Sequence, residues 1–205
     1  MMEKVIITIG RQFGSGGSEI GKKLADNLNI KYYDKELIQL AAKESGICPE
    51  LFEKADEKTS GGLLQAFAMG FSMNGALYQP NDYFTDATLF QVQSDVIRKI
   101  AAERSCVIVG RCADYILKDD PHCTSVFIHS SEEDRIKRII GKNPVTEKEA
   151  LEQMRKTDKT RASYYNYYTD KTWGAAMSYH LCLNSSVIGT DHCVRLIEEF
   201  IKNRF

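Results

Sequence analysis

The apolar positions change period several times along the chain. Val5-Ile6-Ile7-Thr8-Ile9 is a nearly continuous β-branched run ending at Gly10, the pattern of a strand buried on both faces. From Glu19 onward Ile20, Leu24 and Leu28 recur every four residues, which predicts a helix with one apolar face. Between them lies Gly14-Ser15-Gly16-Gly17-Ser18, so the chain opens as strand, glycine loop, helix. Residues 30–33 predict a second, shorter strand closed by Asp34, and residues 35–43 a helix carrying Leu37, Leu40 and Ala41 on one side. From Cys48 to about Asp86 the periodicity weakens while glycine and polar residues accumulate, which predicts an irregular, partly helical and mobile excursion.

Helical spacing returns over residues 90–103 through Val92, Val96, Ile97, Ile100 and Ala101, followed by a buried-strand run at residues 106–109 that ends at Gly110. Residues 113–121 read as helix or loop, and residues 126–128 as a short strand. Ser130 and Glu133 have capping-box spacing, ahead of a helix with Ile136, Ile139 and Ile140 on its apolar face. Residues 147–161 predict a charged helix with few apolar anchors, followed by the aromatic run Tyr164-Tyr165-Asn166-Tyr167-Tyr168 and by Trp173, together a basic, partly exposed arm. Residues 180–184 predict a last strand and residues 193–201 a closing helix with Val194, Ile197 and Ile201 inward. Strands alternating with helices imply an α/β fold, a parallel sheet covered on both faces, with ligands bound at the carboxyl ends of its strands.

Composition narrows the partners. A chain of 205 residues with 43% hydrophobic content suffices for one domain with one substantial core. Its formal net charge of −1 gives no electrostatic reason to expect nucleic acid. The longest uncharged stretch, residues 59–81, holds four Gly, two Ser, two Asn and two Gln, too polar to cross a bilayer, and the N-terminus reads as no export signal. The six cysteines form no C-x-x-C pair and the four histidines no H-E-x-x-H, so the expectation is reduced thiols in a cytoplasmic protein without a zinc site.

The glycine loop carries the chemistry. A turn between a buried strand and a helix aims backbone N–H groups and the positive end of the helix dipole at one point, where a phosphate fits. The Walker pattern G-x-x-x-x-G-K-[ST] can be laid on residues 11–18: Gly16 and Ser18 match, while Arg11 stands for the first glycine and Gly17 for the lysine. The rival dinucleotide fingerprint G-x-G-x-x-G demands a small residue where the chain has Glu19, so it fails, although Asp34 after the second strand would suit it. A tight structural turn is the bland alternative.

The segment Gly10-Arg11-Gln12-Phe13-Gly14-Ser15-Gly16-Gly17-Ser18-Glu19-Ile20-Gly21 resembles the N-terminal motif of the cytidylate kinase-like P-loop proteins. Three further segments are similar to that family's later motifs: Tyr32-Tyr33-Asp34-Lys35-Glu36-Leu37-Ile38; Val107-Ile108-Val109-Gly110-Arg111-Cys112-Ala113-Asp114-Tyr115-Ile116-Leu117; and Asp158-x-x-Arg161-x-x-Tyr164-Tyr165 with Trp173-Gly174. Their order and spacing fit over nearly the whole chain. The resemblance implies a P-loop NTPase three-layer sandwich in a single kinase domain. Its core would comprise residues 1–46, 87–140 and 178–205, with an acceptor-binding region at about 47–86 and a basic lid at about 141–177. It further implies transfer of the γ-phosphoryl group of ATP, with Mg²⁺, to a small phosphorylated acceptor, CMP or dCMP first among nucleoside monophosphates, by a monomer or homodimer. Position 17 departs from true cytidylate kinases, which carry a lysine there. Arg11 and Lys22 are the nearest replacement cations, and two alternatives stay open: a nucleotide sensor with little turnover, or a kinase of a non-nucleotide molecule.

Individual residues follow. Gly14, Ser15, Gly16, Gly17, Ser18 and Glu19 are the expected phosphate-binding residues; Ser18 is also the expected Mg²⁺ ligand, or else a helix cap. By resemblance Arg111 pairs with the acceptor's phosphate, oriented by Asp114, although a salt bridge to Asp114 or Asp34 would serve structure alone. Asp34 and Arg98 are further acceptor contacts, with helix capping and solvent exposure as their alternatives. Arg11, Arg135 and Arg161 join Arg111 as catalytic cations; Arg138, Arg155, Lys156 and Lys159 add charge to the same two helices. The tyrosine cluster reads as packing or a dimer contact before it reads as a base-stacking platform.

Overall fold

The computed structural model describes residues 4–34 and 86–205. The helix expected at 35–43 and nearly all of the expected irregular excursion lie outside them. Among the described residues the order is β1 (Ile6–Arg11), α1 (Gly17–Leu28), β2 (Lys31–Tyr33), α2 (Asp86–Glu103), β3 (Cys106–Val109), α3 (Ala113–Ile116), β4 (Cys123–His129), α4 (Glu132–Lys142), α5 (Glu147–Thr169), a 3₁₀ turn at Ala176–Ser178, β5 (Leu181–Asn184) and α6 (Ser185–Arg204).

The five strands form one parallel sheet in the order β2-β3-β1-β4-β5. β1 is central, with β3 on one side and β4 on the other, so the chain changes direction across the sheet at the carboxyl end of β1. Open parallel sheets bind ligands at such a switch point, and the glycine loop follows it directly.

Strand alternation sorts β1 between two cores. Ile7 and Ile9, with Val107, Val109, Val126 and Ile128, pack under Ile20 and Leu24 of α1 and Cys193, Val194 and Ile197 of α6. Ile6 faces the other way, with Ile108 and Cys106, against Val96, Ile97 and Ile100 of α2 and Leu117 beyond α3. Burying each such aliphatic side chain contributes about 1.5–3 kcal/mol, and helices on both faces make the three layers.

Several boundaries differ from expectation. β4 begins at Cys123 because Thr124 and Ser125, which look like loop residues, are buried and paired in register with Ile7 and Thr8; the His180 backbone N–H donates to the Ser125 carbonyl at 2.9 Å. α4 is capped by Ser131, which accepts from the Asp134 N–H, while Ser130 contacts the Ser186 hydroxyl at 2.6 Å. α6 starts at Ser185, capped by the Asn184 side chain, and is broken at Gly189, which has φ 76 and ψ 161.

α5 does not stop at Arg161 but continues through the tyrosines to Thr169. Thr146 and Glu149 form a capping box at its start, and packing overrides the modest helix propensity of the aromatics. Tyr168 stacks on Phe90 at 4.1 Å, and Tyr165 joins Cys112, Phe127 and Tyr179 in a third cluster. Of the described helices, none is long and apolar enough to cross a membrane.

Ile197, fully buried between α6 and the sheet, tests this packing. Ile197→Ala is expected to cost about 2–5 kcal/mol of stability, read as a lowered urea midpoint with an unchanged slope.

Candidate functional site: a phosphate loop under a helix of arginines

The loop between β1 and α1 is held by contacts that leave its concave side to a ligand. The Gln12 N–H donates to the Ile128 carbonyl at 3.0 Å. Ser15 is fully buried; its hydroxyl donates to the Gln12 carbonyl at 2.9 Å, and its own carbonyl accepts from Ser185 Oγ at 2.7 Å. The Ser15 side chain therefore braces the loop from within. Gly16 takes φ 82 and caps α1 with no side-chain acceptor, and a Cβ there would run into Arg138 Nη1. The first turn of α1 thus presents backbone N–H groups and the positive helix end without a capping oxygen, the arrangement an anion fills.

Two basic helices reach this loop. Asp158 of α5 accepts from the Phe13 N–H at 2.8 Å with one oxygen and from Arg135 Nη2 with the other. Arg135, on α4 and 6% exposed, donates through Nε to the Phe13 carbonyl at 2.6 Å. One turn along α5, Arg161 donates to the Arg11 carbonyl at 3.0 Å and lies over the Phe13 ring. The spacing of Asp158, Arg161 and Tyr165 places all three on one face of α5.

Below α5 a cavity of ≈390 Å³ opens at the carboxyl edge of β1 and β3. Its walls include Arg11, Gly110, Arg111, Asp114, Lys156 and Arg161, with Tyr164, Tyr165, Trp173 and Tyr179 as aromatic sides. Burial, then repulsion from Arg161 and Arg111, pulls the Arg11 guanidinium down to about 9, so it remains a cation at neutral pH, held among like charges that an anion would relieve. Arg11 Nε and Arg138 Nη1 are buried nitrogens without a hydrogen-bond partner. Buried donors left unmade are costly, so both fit a phosphate-bearing ligand at the loop.

Arg111 follows β3 with φ 58, and Gln93 of α2 donates to its carbonyl at 3.1 Å. Burial lowers its guanidinium, and Tyr164, in hydrogen-bonding contact with it, raises it; burial also pushes the Tyr164 hydroxyl up to about 12. Asp114 accepts from the Tyr165 hydroxyl at 2.7 Å, and burial raises its carboxyl above the usual range.

The expected site residues divide accordingly. Arg11, Arg111, Asp114 and Arg161 converge on the cavity, and Gly14, Gly16 and Gly17 form the loop beside it. Asp34 follows β2, and its charge reaches Arg11. Ser18 is exposed in the first turn of α1, where its hydroxyl would hold Mg²⁺ against a phosphate. Glu19 points away, accepting from Lys23 at 3.0 Å and Thr190 at 3.2 Å, contacts that lower its carboxyl with the Lys23 bond first. Arg98 is exposed and paired with Asp95 at 3.1 Å, outside the cavity wall. Sequence reading missed the bracing roles of Gln93, Phe13 and Tyr179; Tyr165 packs as the reading of the tyrosine cluster expected, and for Asp158 the three-residue spacing to Arg161 was the available signal.

A parallel sheet with a glycine loop at its switch point and cations over that loop define a P-loop kinase. The chain belongs to the cytidylate kinase-like family, whose model matches residues 6–187, and with it to the ATP-dependent phosphotransferases. A cytidylate kinase from Sulfurisphaera tokodaii is 23% identical over 199 residues, 96% of this chain and 95% of that one. The crystal structure of an uncharacterized protein from Eubacterium ventriosum superposes with TM-score 0.74 at 33% identity, covering 97% of this chain and 99% of that one. Shikimate kinase from Bacteroides thetaiotaomicron shares the fold, with TM-score 0.54 at 14% identity over 97% of this chain and 98% of that one.

Two measurements probe the site. Asp158→Ala leaves Arg135 buried without its counter-charge and frees the Phe13 N–H, so a loss of about 3–5 kcal/mol in urea unfolding is expected. Asp114 holds its proton to higher pH folded than unfolded, so between about pH 4 and its raised value stability falls as pH rises. Asp114→Asn should remove that slope from a series of urea midpoints across pH 4–7.

Proposed function

We propose that the protein transfers the γ-phosphoryl group of MgATP to a nucleoside monophosphate, CMP or dCMP first. The observation that supports this most is the convergence of Arg11, Arg111 and Arg161 on one cavity that starts at the phosphate loop. Phosphoryl transfer requires little covalent chemistry from a protein; positioning and charge neutralisation carry it. ATP lies with its β- and γ-phosphates in the loop of residues 14–18, and the acceptor's phosphate pairs with Arg111, a guanidinium suited to two parallel hydrogen bonds. An acceptor phosphate oxygen forms the new bond to the γ-phosphorus as the bond to the β,γ-bridging oxygen breaks. The products are ADP and a nucleoside diphosphate, and no covalent enzyme intermediate forms. Mg²⁺, held through Ser18, would supply further neutralisation of phosphate charge.

α5 acts as the lid in this reading: its Lys156 and Arg161 overhang the cavity that α5 helps to enclose, and its Asp158 ties it to Phe13. A cytoplasmic setting, where ATP and nucleoside monophosphates are present, goes with it. The name of the Sulfurisphaera relative supports the choice of CMP. A second reading, a hydroxyl-bearing acceptor, is favoured by Asp114: a carboxyl raised by burial in the cavity wall is a base that an ionised phosphate acceptor does not need.

A coupled ADP-formation assay with MgATP and CMP, dCMP, UMP, AMP or GMP decides between them. CMP or dCMP should give turnover above the acceptor-free rate, and Arg111→Ala should lower kcat/KM for that acceptor by about a hundredfold, with a smaller change in KM for ATP. If every monophosphate stays at background while ATP still raises the melting temperature, the nucleotide acceptor is wrong.

A further inference from the structure

The two departures of residues 11–18 from the Walker pattern touch each other in space. A Cβ placed on Gly17 would stand 2.5 Å from Arg11 Cβ and 3.0 Å from Arg11 Cγ, with Ile128 Cβ 3.4 Å away. Non-bonded carbons settle at about 3.5–4.0 Å, so positions 11 and 17 cannot both carry a side chain without moving the backbone. Gly17 is already the first residue of α1 and takes no left-handed conformation. Glycine is required there by the arginine stem beside it, not by its own backbone. The far end of Arg11 meets a second glycine: a Cβ on Gly110 would collide with Nη1 and stand 3.0 Å from Cζ. The side chain thus runs past residue 17 to the end of β3, along the edge where the cavity opens.

We propose that Arg11 and Gly17 are one exchanged pair. The cation that the usual pattern presents from the helix, at position 17, is presented here from the strand, at position 11, and its contact is with the phosphates of the donor nucleotide. This rests on the phosphotransferase reading above. Three observations carry it beyond the motif. Arg11 Nε is buried with no partner, so its donor awaits a ligand. Lys22, the other nearby cation, is exposed on α1, and Lys23 is engaged by Glu19 and Asp191. Arg138, whose Nη1 is also unpartnered, stands against Gly16 beside the Thr190 methyl group, whereas the atoms nearest a Cβ on Gly17 belong to Arg11 and Ile128. The loop has therefore kept its cation and changed the residue that carries it. A mismatch at two of four fixed positions is then one substitution of place, because an arginine at position 11 requires a glycine at position 17.

The test is reciprocal. Arg11→Gly combined with Gly17→Lys restores G-x-x-x-x-G-K-S over residues 11–18, while each change alone breaks the pair. Wild type, R11G, G17K, R11G/G17K and the conservative R11K are compared for ligand-free melting temperature, for affinity toward MgATP from ligand-induced thermal shift, and for ADP formation. G17K alone should melt several degrees lower, because its side chain meets the arginine stem. R11G should fold but bind ATP about tenfold or more weakly. The double variant should melt no lower than R11G and recover most of the lost ATP affinity, and R11K should stay within a few-fold of wild type.

The proposal is overturned if R11G binds ATP as tightly as wild type, if G17K is as stable as wild type with Arg11 in place, or if the double variant binds no better than R11G. Failure of the underlying reading looks different. A wild type whose melting temperature does not respond to MgATP removes both the donor nucleotide and the role of Arg11. A wild type that responds to ATP, but for which no acceptor is found, leaves the exchange standing.

Discussion

The carboxylate of Asp158 joins the two halves of the site. One oxygen accepts the Phe13 N–H from the phosphate loop and the other accepts Arg135 from α4, whose Nε in turn donates to the Phe13 carbonyl. A closed ring of hydrogen bonds thus locks Phe13 between two helices that the sheet alone does not align. Charge-assisted bonds of this kind are about twice as strong as neutral ones, and here they are largely shielded from water. Because Arg161 follows Asp158 by less than a turn and donates to the Arg11 carbonyl, the same helix face fixes both ends of Arg11-Gln12-Phe13. The path of the Arg11 side chain depends on that backbone being held.

The fixed loop explains how several guanidinium groups can crowd one cavity. Arg111 and Arg161 both repel Arg11, and burial removes the water that would screen them. Unsupported, such a cluster would splay apart. The repulsion is opposed by anchors around the guanidinium groups: Gln93 holds the Arg111 carbonyl, Tyr164 its guanidinium, and Asp158 counters Arg161. The site thus holds like charges close together, and a polyanion bound there would relieve their repulsion. Catalysis by electrostatic preorganisation rests on such dipoles and cations being in place before the reaction.

The sheet was legible because its central strands are uninterrupted β-branched runs, and Cys106–Val109 was found at its observed bounds. The loop between strand and helix was legible from its glycines, while the phosphate expectation leaned on the family resemblance because only two of the four fixed Walker positions match. What escaped were features decided by distant partners. Thr124 and Ser125 become strand only because β1 lies beside them, and the tyrosines extend α5 only because Phe90 and Tyr179 receive them. The shift of the α4 cap from Ser130 to Ser131 turns on Ser186, more than fifty residues later in the chain. Glu19 was drawn in by its place in the loop motif and Arg98 by its charge on the helix before β3, and local ion pairing engages both side chains.

Gly17 shows why a motif should be compared in space as well as in order. Read along the chain, its missing lysine argues for a protein that binds nucleotide without turning it over. Read against its neighbour, the same glycine is the space beside an arginine stem, and on the exchange proposed above the positive charge is moved along the loop without being lost. Charge neutralisation depends on where a guanidinium or ammonium ends, not on which backbone position it leaves from. An arginine leaving the strand also reaches farther than a lysine and ends in a planar fork, so it meets two phosphate oxygens at once. On the exchange proposed above, the terminal phosphate of the donor would lie toward Gly110, which the end of Arg11 approaches and which shares the cavity wall with Arg111.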